Sequence, residues 1–280
     1  MQSDTYQELF CIAEETVSLA DRALGDERAA ESVEQQVWWA LLRAFALKAV
    51  TSLRATVLLC REGYSEDAAV VARTIMEIAI VVRYIAADPQ DRSRRFIEHT
   101  IVERQSLVTF LESARDRLPR PWQGLASHAQ RLQELRQHYD EMSGDTRHRY
   151  HWAGRDITLR KMAEAIGLPV LDWYDLIYSL FSKRAHSTPR CMDNYILVDG
   201  QRLINSLPDR AGMVRDSLGF GSLSMLLVLD TANDEMRLTL ESEIKGLMER
   251  FRQVRRAAGA GGENPVSESR GASDHAEESE

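Results

Sequence analysis

The stretch SEDAAVVARTIMEIAIVVRYIA, residues 65–86, decides the fold. Ser65 stands where an N-cap would, and Glu66 and Asp67 suit the positive end of a helix dipole. The run stops before Asp88-Pro89, because proline pushes the residue ahead of it out of the helical region. Beyond the first turn its only charges are Arg73, Glu77 and Arg83. A helix that is apolar nearly all round has no face to offer water, so this one is expected at the centre, wrapped by others.

Both flanks read as helix. Upstream, residues 5–24 bring Leu9, Ile12 and Leu19 to helical spacing before Gly25, and residues 29–61 run without glycine or proline until Gly63. Downstream, a helix opens at Pro89 and runs to about residue 118, and Pro119 and Pro121 separate it from a polar helix ending near 142. Thr158 caps a short helix over 159–166, Gly167-Leu168-Pro169 leads into another over 170–186, and Pro189 ends it. One strand signal remains, in which Asp199-Gly200 joins two β-prone flanks as a two-residue hairpin. Residues 209–258 read as one last long helix, with Gly219 and Gly221 as a bend.

The expected fold is therefore all-α: a bundle of seven or eight helices with one small β-hairpin near 194–205. Residues 1–28 supply an N-terminal helix, 29–258 the helical domain, and 259–280 a disordered acidic tail. The scarcity of glycine (15) and proline (7) in 280 residues agrees with that reading. Of the formal net charge of -8, residues 263–280 contribute six acids and one arginine, or -5, leaving -3 elsewhere. A nearly balanced folded part argues against a broad nucleic-acid surface, while local basic patches stay open. Cys11, Cys60 and Cys191 have no paired spacing, which points to free thiols in the cytoplasm and no zinc module. Charges interrupt the longest apolar run, so no membrane span and no membrane partner are expected.

Three groups of residues carry possible chemistry. Arg73 and Glu77 lie one turn apart on the apolar central helix, where a charge must be paired. They read either as an ion pair tying the core or as an arginine that holds a phosphate while Glu77 orients it, and Tyr84 fits either arrangement. Tyr174, Tyr178, Ser182 and His186 follow at intervals of four and form one polar stripe, where His186 reads as a helix-end partner or as a proton carrier beside Ser182. The loop before residue 156 interleaves Arg147, Arg149 and Arg155 with Tyr150 and Trp152. That mixture can stack on bases and contact phosphates, or be a solvated connection that Trp152 anchors. Arg184, with Lys183 and Arg190, adds a second basic cluster around His186, favouring an anionic ligand. No Gly-x-Ser-x-Gly elbow occurs, and His148 and His151 lack a third ligand at metal spacing, so neither metal nor cofactor is expected.

The order Arg73-x-x-x-Glu77, Tyr84-Ile85, Asp88-Pro89, Trp152 before a capped helix, and Tyr178-x-x-x-Ser182-x-x-x-His186 before a hairpin resembles a bacterial family called domain of unknown function 5677. That family is distantly similar to the helical HEPN class, many of whose members are metal-independent RNases of toxin or antiphage-defence systems. The resemblance implies a homodimer acting on RNA, with His186 as general acid or base and an arginine stabilising the phosphorane. It also implies a departure. HEPN nucleases carry their arginine four to six residues before the histidine, whereas Arg184 is two before His186 and faces away on a helix. Arg73 would have to serve from another helix, and a non-catalytic module binding a nucleotide, RNA or protein stays open beside the enzyme.

Overall fold

The computed structural model describes residues 2–26, 30–114, 152–154, 156–178, 180–182, 196–199, 202–205 and 210–260. Among them the architecture is all-α. The helices are α1 (Gln2–Gly25), α2 (Val33–Arg61), α3 (Ser65–Ala86), α4 (Pro89–Ala114), α5 (Leu159–Ile166), α6 (Val170–Trp173), α7 (Arg210–Met236) and α8 (Glu241–Ala260). A π-helical segment, Tyr174–Tyr178, continues α6. Strands β1 (Ile196–Asp199) and β2 (Arg202–Asn205) pair antiparallel, with Ile196 opposite Asn205 and Asp199 opposite Arg202.

Local sequence sets most of these ends. Ser32 Oγ accepts from the Gln35 N–H at 3.1 Å to cap α2, and Gly63 takes a φ of 84° to end the turn after it. Thr158 caps α5 through the Lys161 N–H at 3.3 Å, and Gly167, at φ 90°, stops it. Ser65 is not the cap it was expected to be. The cap position is Tyr64, which makes no side-chain bond, and Ser65 is the first helical residue, buried, with its carbonyl accepting from Ser217 Oγ at 3.4 Å.

α3 lies at the centre, as its composition requires. It packs on α2, α5 and α7, while α7 also lies along α2 and α1, and α8 returns against α1. Leu53, Ile75, Ile80, Leu218 and Leu226 are buried where these helices meet, each worth about 1.5–3 kcal/mol of transfer free energy. Gly221 lets α7 approach: a Cβ there would stand 3.3 Å from Leu53 Cδ1 and 3.5 Å from Ile75 Cδ1. At Gly219 a Cβ would come within 2.7 Å of Phe251 Cε2, so the missing side chain seats Phe251 of α8.

Those two glycines therefore mark close packing and not a bend, and the expected single helix over 209–258 is two. The break falls at 237–240, where Arg237 and Thr239 take φ of 54° and 61°. Asn233 makes the break possible by accepting from the Leu240 N–H at 2.7 Å through Oδ1, while Leu238 and Leu240 turn into the core. By length and composition α7 could cross a membrane, but 78% of its apolar window is buried inside the bundle.

Candidate functional site

Arg73 sits midway along α3, at the edge of the face that carries buried Ala72, Ile75 and Met76. Its Nε donates to Glu77 Oε1 at 2.9 Å on the same helix, and its Nη1 donates to Ser182 Oγ at 3.2 Å. The guanidinium carbon lies 4.9 Å from the centre of the Tyr178 ring. Tyr178 in turn stacks on Tyr174, with ring centres 4.6 Å apart and planes 15° from parallel. The arginine thus has a carboxylate on one edge, a hydroxyl at one tip and an aromatic face beside it.

The opposing wall is held by its own apolar residues. Ile177 and Phe181 are buried, Phe181 meeting Phe220 of α7 edge-on at 6.0 Å, which leaves Tyr178 and Ser182 on the side toward Arg73. Residues expected to form an unbroken α-helix adopt a π segment over Tyr174–Tyr178, a widened turn that recurs at functional sites. Arg160 of α5 clamps it, with Nε and Nη2 on the two Asp175 oxygens at 3.0 and 3.1 Å. Burial first, then the electrostatic influence of Tyr178, Asp175 and Glu77, raises the Tyr174 phenol above its ordinary pKa, so it remains a neutral donor near pH 7.

Arg73 and Glu77 are about a fifth and a third exposed (19% and 33%), so the cluster opens to solvent. No described residue takes a hydrogen bond from Arg73 Nη2. Its end-on edge, Nη1 and Nη2, is the part of a guanidinium that grips a phosphate or carboxylate with two parallel bonds. The Ser182 hydroxyl, already beside Nη1, keeps its own O–H as a further donor on that side.

Arg73, Glu77, Tyr178 and Ser182 are thereby brought together from two distant parts of the chain. Trp152 is not with them. It is buried between Tyr84 and Phe96, edge-on to both at 5.9 and 5.1 Å, and Phe96 also meets Phe45 at 5.1 Å. Its ring therefore lies against the core and is not available for a base to stack on. Tyr84 belongs to this second cluster, with the Arg92 guanidinium 3.9 Å from its ring centre. His186, Arg147, Arg149, Arg155 and Arg184 lie outside the described residues. The Arg160–Asp175 clamp and the role of Tyr174 against Tyr178 were not anticipated; fifteen residues separate the clamp's partners, and no spacing announces it. Among the described residues no group of three His, Cys, Asp or Glu side chains is placed to hold a metal.

A family model described as a family of unknown function, DUF5677, matches residues 40–203, more than half of the chain. The chain belongs to DUF5677. The matched stretch holds both walls of the cluster, Arg73 and Glu77 on α3 and Tyr178 and Ser182 opposite, so the site lies wholly within the DUF5677 region. α7 and α8, which cover α3 and α1, lie beyond it. No curated protein and no solved structure matches the chain.

Proposed function

We propose that the Arg73 cluster recognises a phosphate of RNA and that this DUF5677 protein is a metal-independent ribonuclease. The observation that carries the reading is the meeting of Arg73 with Ser182, 109 residues away, while the arginine's charge partner stays on its own helix. An arginine held this way has its direction fixed, and its Nη2, without a hydrogen-bond partner among the described residues, can turn with Nη1 to a ligand. In the proposed reaction the ribose 2′-hydroxyl attacks the adjacent phosphorus as the P–O5′ bond breaks, giving a 2′,3′-cyclic phosphate and a 5′-hydroxyl. His186, four residues after Ser182, takes the 2′ proton and delivers it to the departing 5′ oxygen, and Arg73 stabilises the phosphorane charge. Tyr178 lays its ring against the arginine, and Glu77 aims it.

The test is cleavage of total RNA in the presence of a chelator, comparing wild type with His186→Ala and Arg73→Ala. Cleavage leaving cyclic phosphate ends, lost in His186→Ala and slowed about a hundredfold or more in Arg73→Ala, is the expected result. Equal, negligible cleavage by wild type and His186→Ala would sink the enzyme reading. One observation favours a second reading. Glu77 already neutralises Arg73, as suits a site that exchanges one anion for another without chemistry. In that case a labelled oligonucleotide binds wild type intact and Arg73→Ala loses it.

A further inference from the structure

α2 shows water a row of side chains that a lone helix has no reason to present. Val33 (70% exposed), Val37, Leu47 (56%) and Leu58 (60%) are exposed aliphatic residues on one helix. Ala40, Ala44, Thr51 and Arg54 are exposed between them. From Val33 to Leu58 the eight positions alternate in steps of four and three without a fault, the spacing of a coiled-coil seam. The opposite side of the same helix, Leu42, Ala49, Val50 and Leu53, is buried against α3 and α7. α2 is therefore amphipathic about its inner face and carries a second, narrower apolar seam about 37 Å long on its outer one.

We infer that this outer seam is the interface of a homodimer in which two copies of α2 cross a two-fold axis antiparallel. A second copy fits because the seam complements itself in that direction. Turned end for end about a point between Phe45 and Ala46, Val33 falls opposite Leu58, Ala40 opposite Thr51 and Ala44 opposite Leu47, so a larger residue meets a smaller one in each of these layers. Arg54 falls opposite Val37 as the one charged layer, its guanidinium paired with Asp21 of its own α1 at 2.6 Å.

The ends also match in charge. A groove between α2 and α4 is floored by Val33, Val37 and Ile97 and rimmed by Glu34, Asp88 and Glu98, with Arg94 bridging Asp91 and Glu98. The antiparallel arrangement sets Leu58 of the other copy into this groove and brings its Arg54 and Arg61 beside Glu34. Arg54 and Arg61 hold Asp21 and Glu14 of their own α1, so that end is neutral and not acidic. A parallel arrangement would set the two acidic grooves against each other. None of these residues touches the Arg73 cluster, and the inference stands whether or not that cluster cleaves RNA.

Sedimentation equilibrium of the full chain, from low to high micromolar concentration, is the test. Wild type should dimerise, and Leu47→Glu, which sets a carboxylate into each layer beside the axis, should raise the dissociation constant at least tenfold with an unchanged circular dichroism spectrum. Ala44→Cys with Leu47→Cys should join two copies by disulfides on oxidation, while the parent with its natural cysteines does not. Leu58→Glu repeats the test at the seam's far end should the first variant lose structure. A wild type that stays monomeric throughout overturns the inference, as does a dimer that neither glutamate weakens or that the cysteine pair fails to join.

Discussion

α3 carries two arginine–carboxylate pairs, and they are built for different purposes. Arg83 reaches across to Asp230 of α7 at 2.6 Å, so its pair spans the interface between the two helices at the heart of the bundle. Arg73 pairs with Glu77 on its own helix at 2.9 Å, so that ion pair ties α3 to no other element. What it offers the opposite wall is one bond to a hydroxyl and one ring contact. An ion pair within a helix contributes only about 0.3–0.5 kcal/mol. The ion pair alone therefore recovers little of the expense of placing an arginine on an apolar helix, which leaves room for a ligand as the reason for it.

The comparison breaks most completely if the wall facing Arg73 is released. Phe181→Ala empties a buried site against Phe220 and should cost about 3–5 kcal/mol in denaturant unfolding. In a folded fraction, the same variant should lose phosphate binding, because Tyr178 and Ser182 depend on that anchor. Retained binding would place the ligand elsewhere.

Arg83→Ala comes next, at about 1–2 kcal/mol, since it leaves the half-buried Asp230 carboxylate without its counter-charge. Asp230 adds a pH signature. Burial raises its pKa above the usual carboxylate value despite Arg83, and Asp234 and Glu241 push it further. A carboxyl raised on folding favours the fold below its unfolded pKa, and that contribution is lost as pH rises through the folded one. Thermal melts from acid to neutral pH should show this loss in wild type and not in Asp230→Asn.

Arg73→Ala should cost about 1 kcal/mol, the Ser182 hydrogen bond and the Tyr178 ring contact included, while abolishing binding of phosphate or oligonucleotide. Strong destabilisation would instead make Arg73 a tie like Arg83. The sequence sets both arginines among apolar residues, yet does not say which is which. Arg73 has an acid one turn on, a pattern visible in any helix, whereas Asp230 is 147 residues from Arg83 and only the packed bundle shows their contact. Helix ends were legible where a single residue sets them, as at Thr158 and Gly63. They were not legible where the means is tertiary. Asn233 breaks a helix with no glycine or proline at hand, and nothing in the residues over 174–178 announces a π turn.

Glu77→Gln is the smallest change and tests the contrast most finely. The amide oxygen can still accept from Arg73 Nε, so the guanidinium keeps its direction while losing a fixed negative charge beside it. The loss of this intrahelical pair, a fifth to a third exposed, should cost about 0.3–0.5 kcal/mol, close to the limit of a denaturant titration. If Arg73 exists to receive an anion, Glu77 is its resting competitor, and removing that charge should tighten phosphate or oligonucleotide binding several-fold, most clearly at low salt. Unchanged affinity would mean that the ligand does not meet the guanidinium at all. The corresponding change at the other pair, Asp230→Asn, should leave affinity untouched, because Asp230 pairs with Arg83 and not with Arg73.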